Sequence, residues 1–234
     1  MEQWFVKIKP LAEEGIRAIN SKEIKFVPNR FEKIATDWLD NFHDWNISRQ
    51  IVWGIRIPAW KCSECGEWIV TEGKTPEKCT KCNSKKLIQD TDTFDTWFSS
   101  AQWPFATLKS HSEKDFEKFY PTSVMETGYD ILPWWVLRMI MIGIYVNKKV
   151  PFKAVYLHGL VRDGKGQKMS KSKGNVINPI EMVDKYSADA VRLALIFGAS
   201  AGNDLSLPED KIRGMRNFTN KLWNMGRFIE MNNK

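Results

Sequence analysis

The apolar residues Phe31, Ile34, Ala35, Trp38, Leu39 and Phe42 recur at the i, i+3, i+4, i+7 spacing that lines one face of a helix. They predict an amphipathic helix whose apolar face belongs to a core. A weaker helical pattern, Leu11 to Asn20, lies between β-prone pieces at Trp4 to Ile8 and Ile24 to Val27. Further on, Ser123 to Thr127 reads as a strand, Gly128-Tyr129-Asp130 as a turn and Ile131 to Val146 as a long apolar helix. A second unit follows the same plan. Lys153 to Leu160 alternates as a strand, and a helix is expected from Pro179 to Phe197, with Asn178 as N-cap and Glu181 at the capping-box position. Strands alternating with helices predict an α/β fold on a parallel sheet. Ligands bind such sheets beyond the carboxyl ends of the strands, so Gly128 to Asp130 and His158 to Lys171 fall in the site region. Beyond Pro208 the pattern is helical, with Ile212, Met215, Thr219, Leu222, Gly226 and Ile229 on one stripe.

Residues 60 to 89 differ in kind, being rich in Lys, Glu, Gly and Cys with little apolar periodicity. All four cysteines lie here, as Cys62-Ser-Glu-Cys65 and Cys79-Thr-Lys-Cys82. Two CxxC turns at this separation have the spacing that clamps one tetrahedral zinc with four thiolates. Such a site has no open position, so the zinc is expected to be structural. A redox dithiol is the competing reading, and two paired knuckles argue against it. Gly66 and Asn83, each just after a knuckle, suit tight turns.

Composition then narrows the partners. With 43% hydrophobic and 12% aromatic residues, including 11 Trp, the chain can bury a core, which a disordered chain cannot. Lys and Arg number 35 against 28 Asp and Glu, a net charge of +7, which fits a polyanionic partner. The apolar run from Ile131 is shorter than the ~20 residues a bilayer needs and contains Arg138. No membrane is expected. No basic n-region and apolar h-region open the chain, and the cytoplasm is the expected compartment.

The densest cationic segment is Arg162 to Asn175, with Arg162, Lys165, Lys168, Lys171 and Lys173 against Asp163. Gly159 to Lys165 imitates P-loop spacing, but Gly166 stands where a Mg²⁺-binding Ser or Thr is required. A P-loop enzyme is therefore excluded. An ordinary run of this kind is a solvated surface loop. The string Lys168-Met169-Ser170-Lys171-Ser172, after a strand ending in His158-Gly159 and before Gly174-Asn175, instead resembles the signature loop of the class I aminoacyl-tRNA synthetases. In that family two ammonium groups on a mobile loop meet the charge that builds on leaving pyrophosphate. The resemblance implies catalytic roles for Lys168 and Lys171, and ATP contacts, with Mg²⁺, for His158, Gly159 and Lys168 to Ser172.

Within the class, Ile47 to Gln50, Trp53-Gly54 and Arg56 to Trp60 resemble the segment leading into the zinc module of the valine and isoleucine branches. Asp95 to Ser100, Trp103-Pro104-Phe105, Thr127 to Ile131 and Gly198 to Leu207 resemble the valine branch more closely, since the isoleucine branch usually carries Asp-Gln-His where Gly128-Tyr129-Asp130 stands. This implies activation of valine with ATP and its transfer to tRNA(Val). The implied amino-acid pocket is walled by Trp97, Ile131 and Trp135, with Gly128 and Asp130 beside it. From the residues alone, Trp97 and Trp135 could be core, Asp130 an N-cap and His158 a strand-end residue. His43 and His111 carry no motif. An isoleucine-specific segment and a non-catalytic RNA-binding module are the alternatives. The family's His-Ile-Gly-His motif is absent from this sequence. The resemblance therefore implies the second half of a Rossmann-like catalytic domain whose amino-terminal half lies elsewhere. Its expected divisions are 1–59 and 90–177 as catalytic segments, 60–89 as the zinc insertion and 178–234 as the start of a helical region.

Overall fold

A computed structural model of the chain describes residues 2 to 233. In chain order it runs through β1 (Phe5–Val6), α1 (Lys9–Asn20), β2 (Lys25–Val27), α2 (Arg30–Asp40), β3 (Trp45–Asn46), β4 (Ser48–Arg49), β5 (Ala59–Cys62), β6 (Trp68–Val70), β7 (Leu87–Gln89) and β8 (Thr93–Phe94). It continues with α3 (Thr96–Ser100), α4 (Trp103–His111), α5 (Glu113–Phe119), β9 (Thr122–Gly128), α6 (Leu137–Asn147) and β10 (Phe152–His158). The remainder is β11 (Val161–Arg162), α7 (Pro179–Tyr186), α8 (Ala188–Ile196), β12 (Leu205–Ser206) and α9 (Glu209–Asn232). Two compact units result. The first takes the chain up to Lys25, Phe31–Met125 and Ile131–Ala154; the second takes Phe26–Arg30, Glu126–Asp130 and the chain from Val155 on.

In the first unit the expected stripes are buried. Helix α1 places Pro10 in its first turn, where a missing N–H costs no bond, and buries Ala12, Gly15, Ala18 and Ile19. Helix α2 buries Phe31, Ala35 and Leu39. A Cβ on Gly15 would lie 3.3 Å from Leu39 and 3.6 Å from Ile140, so glycine lets α1 approach both. The stretch Tyr129–Asn147 is long and apolar enough to cross a membrane by length and composition. Here it is a core element, with Leu137, Met139, Ile140 and Met141 buried and α1 packed on α6. It is not one regular helix: a 3-10 turn (Tyr129–Ile131) and a π-helical turn (Leu132–Val136) precede α6. Pro133 has no N–H for an α-type bond, and the chain winds more loosely there. Strands β5, β6 and β7 form an antiparallel sheet in the order β6-β5-β7. Its small core is Cys62, Ile69 and Cys79, with Cys65 and Leu87 against it.

Strands β2, β10 and β9 form a sheet in that order, and their carboxyl-terminal residues belong to the second unit. In β10 the expected alternation holds: Val155 and Leu157 are buried, Tyr156 and His158 exposed. The second unit's core is Tyr186, Ala190, Val191, Ala194, Leu207 and Ile212. The single helix expected from Pro179 to Phe197 is two, broken at Ser187 with φ +103°. The Ser187 hydroxyl accepts from the Ala190 N–H, the local bond by which serine favours a new N-terminus over helix continuation. Along α9 the stripe is buried only at Ile212, while Leu222 and Ile229 are exposed. An apolar stripe is buried only where a second element lies along it.

Candidate functional site

In the first unit the sulfur atoms of Cys62, Cys65, Cys79 and Cys82 all lie within 4.8 Å of one another. The turns bring them together: Gly66 N–H donates to the Cys62 carbonyl and Asn83 N–H to the Cys79 carbonyl, closing the two knuckles in matching fashion. Gly66 and Asn83 both have positive φ, +75° and +57°, which glycine and asparagine tolerate best. Cys62 Sγ is 3.6 Å from Cys82 Sγ, and Cys65 Sγ 3.5 Å from Cys79 Sγ, near the edge of about 3.8 Å for a tetrahedron with metal–sulfur bonds of about 2.3 Å. No disulfide links them. The Cys65 amide, against burial, draws the Cys62 thiol down to about 6. Cys82, although the Ser84 amide lowers it, is pushed up to about 12 by the neighbouring sulfurs and burial. Four sulfurs this close cannot all ionise without a cation among them, and the donor set fits one metal ion.

The carboxyl end of β10 organises the second unit. His158 is exposed; its Nδ1 lies 2.7 Å from the Gly159 carbonyl and its Nε2 3.3 Å from Glu126 Oε1. A Cβ on Gly159 would overlap the Asn203 carbonyl and the Asp204 amide. A Cβ on Gly128 would lie 2.7 Å from Asp130 Oδ1, so that carboxylate folds back over the glycine. Asp204 accepts the Leu160 N–H at 2.8 Å and pairs with Arg162 Nε. Desolvation opposes ionisation of Asp204, but the Leu160 amide, Arg162 and the Tyr129 hydroxyl hold its carboxyl below the usual range. Arg30 donates to the Gly202 carbonyl and to Asn203 Oδ1. Beyond this node, Lys168, Lys171 and Ser172 are exposed, and Met169 and Ser170 half-buried.

Trp97, Ile131 and Trp135, all half-buried, belong to the first unit. Trp97 is carried by α3, whose N-cap Asp95 accepts the Trp97 N–H at 3.3 Å. Trp135 Nε1 donates to the Ser100 carbonyl of the same helix at 3.0 Å, which ties both indoles to α3. Asp95 is buried, accepts Trp45 Nε1 at 2.9 Å and pairs with Arg49 at 3.0 Å. Arg138, 12% exposed, stacks 3.9 Å from the Trp45 ring and brings Nη1 to 3.6 Å from Asp95, too long for a hydrogen bond. Burial disfavours the charged guanidinium and Asp95 opposes that shift.

Residues 1–208 match the family described as tRNA synthetases class I (I, L, M and V). The chain belongs to the class I tRNA synthetases. This synthetase chain is 53% identical over 232 residues to the valine–tRNA ligase of Clostridium tetani, covering 99% of its own length and 26% of that protein. The valine–tRNA ligase of Dehalococcoides mccartyi is 53% identical over the same length and coverage. The chain thus spans 26% of the length of these curated relatives. Agrobacterium radiobacter K84 agnB2 LeuRS, solved in a ternary complex with tRNA and LeuAMS, is 27% identical with a TM-score of 0.70, covering 82% of this chain and 29% of that one. Mycobacterium tuberculosis methionyl-tRNA synthetase bound by methionyl-adenylate, 17% identical, shares the fold with a TM-score of 0.66, covering 93% of this chain and 37% of that one. The α/β expectation is met: the chain has the mixed α/β catalytic-domain fold of this family.

Sequence reasoning overlooked the polar supports of the synthetase chain: Asp95, Arg138, Arg30 and Glu126. Asp95 alone had a local signal, since it stands immediately before a helical turn, where an N-cap belongs. Removing its carboxylate strands a buried guanidinium. Asp95→Ala is therefore expected to lower stability by about 3 kcal/mol, and Asp95→Asn, which keeps the cap through its one acceptor oxygen but loses the acceptor for Trp45 Nε1, by less. Urea denaturation followed by tryptophan fluorescence checks both.

Proposed function

We propose that this chain is the part of a valine–tRNA ligase that completes the ATP site and holds the amino-acid pocket. The observation that carries the reading is 53% identity across 232 residues to proteins of that name, with the Lys168 to Ser172 string intact. In this reading the valine carboxylate attacks the α-phosphate of Mg²⁺-bound ATP, forming valyl-adenylate and releasing pyrophosphate. A ribose hydroxyl at the end of tRNA(Val) then attacks the mixed anhydride, and AMP leaves. Lys168 and Lys171 place positive charge where the leaving phosphates gather negative charge, an interaction that strengthens toward the transition state. His158 and Gly159 lie along the adenosine, with the open glycine backbone allowing close approach. Met169, Ser170 and Ser172 complete the loop. Trp97, Ile131 and Trp135, all of the first unit, wall a pocket for a short branched side chain.

The sheet β2-β10-β9 belongs, in this reading, to a parallel nucleotide-binding sheet whose other half carries a His-Ile-Gly-His segment outside this chain. The same reading implies the cytoplasm. Cys62, Cys65, Cys79 and Cys82 hold one zinc, which supplies cross-linking of a small module and no catalysis, because four thiolates fill its coordination sphere.

Three outcomes are expected. Grafted in place of the matching 232 residues of the Clostridium tetani enzyme, the chain supports pyrophosphate exchange with valine in preference to isoleucine. Threonine, nearly isosteric with valine, is rejected only about 10²-fold at this step. A higher kcat/KM for isoleucine would overturn the valine assignment. Lys171→Ala in the same chimera lowers kcat for exchange by about 10²-fold, comparable with losing one oxyanion-hole donor, with a smaller change in KM for ATP. Elemental analysis of chain purified without chelator gives close to one zinc per molecule, and chelation loosens residues 60 to 89 before the rest. A metal-free preparation with the same fold in that segment rules the zinc out.

A further inference from the structure

The loop bearing Lys168 and Lys171 is exposed, yet two half-buried side chains bind its ends together. Asp163 Oδ1 accepts the N–H groups of Lys165 at 2.9 Å and Gln167 at 2.7 Å. Its Oδ2 accepts from Asn175 Nδ2 at 2.9 Å. Asn175 then turns back into the loop: Oδ1 accepts the Ser170 N–H at 2.9 Å, and Nδ2 also donates to the Lys168 carbonyl at 3.3 Å. The Asn175 amide can face only one way, since Asp163 and Lys168 offer acceptors and Ser170 a donor. The backbone bonds Asp163 N–H to Gln167 carbonyl, 3.0 Å, and Gly166 N–H to Asp163 carbonyl, 2.9 Å, close the turn inside this ring. Gly174, with φ +65°, ends the short 3-10 turn Lys171–Lys173 and delivers the chain to Asn175. The Asn175 amide, followed by the Gln167 amide, holds the Asp163 carboxyl below the usual carboxylate range, so the acceptor at the centre is charged at neutral pH.

We infer that Asp163 and Asn175 are positioning residues, a clasp that fixes the backbone at Lys168 and Ser170 and thereby aims the Lys168 and Lys171 ammonium groups. This rests on the proposed role of those lysines, and neither clasp residue itself meets the substrate. Two flexible lysine stems on an unfixed loop would spend most of their time away from the leaving phosphates; fixing the backbone at their base removes part of that entropy before the reaction. The amide bonds at Lys165, Gln167 and Ser170 pass through the two side chains and not through a helix or strand. The loop therefore has few backbone bonds of its own to fall back on.

A charge-conserving swap tests the clasp. Asn175→Asp faces one carboxylate with another, and Asp163→Asn faces one amide NH₂ with another, so each single variant breaks the pair. The double variant D163N/N175D restores a donor–acceptor pair in reverse, and both acceptors for the loop amides survive, while the Lys168 carbonyl loses its donor, so recovery is partial. In this chain, hydrogen exchange at the Ser170 amide should quicken about tenfold in each single variant, the worth of one hydrogen bond, and return toward the starting rate in the double variant. In the chimera, kcat for pyrophosphate exchange should follow the same order while KM for ATP stays nearly constant. Unchanged Ser170 exchange in the single variants, or a double variant no better protected than either, overturns the clasp. If Lys171→Ala lowers kcat but Asn175→Asp does not, the positioning role falls and the reading of the lysines stands. If Lys171→Ala leaves kcat intact, the role of the lysines falls and takes the clasp's catalytic purpose with it.

Discussion

Gly159 has no side chain because the Asn203 carbonyl occupies the space that a Cβ would need. From that contact the second unit is organised. With the backbone of residue 159 against residues 203 and 204, the Asp204 carboxylate reaches the Leu160 amide and Arg162. The neighbouring strands β11 and β12 then pair in parallel, Val161 with Leu205 and Arg162 with Ser206. The Ser206 hydroxyl in turn donates to the Asp163 carbonyl at 2.5 Å, so the residue at the loop's base is held from the same side. One close backbone approach thus sets where the signature loop begins, and a larger residue at 159 would have to move a backbone carbonyl to fit.

Much of this was legible in the sequence, for reasons that differ by element. Periodicity located α1, α2 and β10 because each packs one face against a core and leaves the other wet, the condition under which pattern and burial coincide. It failed between Pro179 and Phe197, where Ser187 interrupts a stripe that stays apolar on both sides of the break. It also failed along α9, where a stripe exists without an element over its later turns. The four cysteines were legible because coordination chemistry dictates their spacing independently of the fold. Asp95 and Arg138 were not, since they lie 43 positions apart in the chain and meet only after α3 and α6 pack.

The two polar arrangements in the first unit meet the cost of burial by different means. Around Asp95, one carboxylate accepts from a helix N-terminus and an indole N–H, pairs with Arg49 and lies 3.6 Å from the Arg138 guanidinium, so charge is compensated within the protein. Arg138 lends its planar face to Trp45 as well, and the guanidinium is weakly enough hydrated to tolerate that position. Among the described residues no side-chain cation bonds the cysteine sulfurs. Lys81 and Lys86 pair with Glu67 and Glu64 at the module's surface and not with sulfur. The four sulfurs lie within 4.8 Å of one another, so ionising them together would set like charges side by side unless a cation stood among them.

The signature loop separates rigidity from charge. Its polar backbone groups are satisfied at the base, by Asp163 and Asn175, whereas among the described residues the ammonium groups of Lys168 and Lys171 have no ion-pair partner. An internal salt bridge would hold the lysines more firmly, but under the proposed function it would have to break whenever they turned to a phosphate, and that cost would fall on the transition state as well as on binding. Under the proposed function, leaving the charges solvated and ordering only the backbone beneath them keeps their electrostatic response available for the moment when negative charge develops. A loop built this way gains little stability from its five cations. Its geometry depends instead on a few neutral and charge-assisted hydrogen bonds at its ends, so under the proposed function substitutions at Asp163 and Asn175 and substitutions at the lysines act on different parts of the same step.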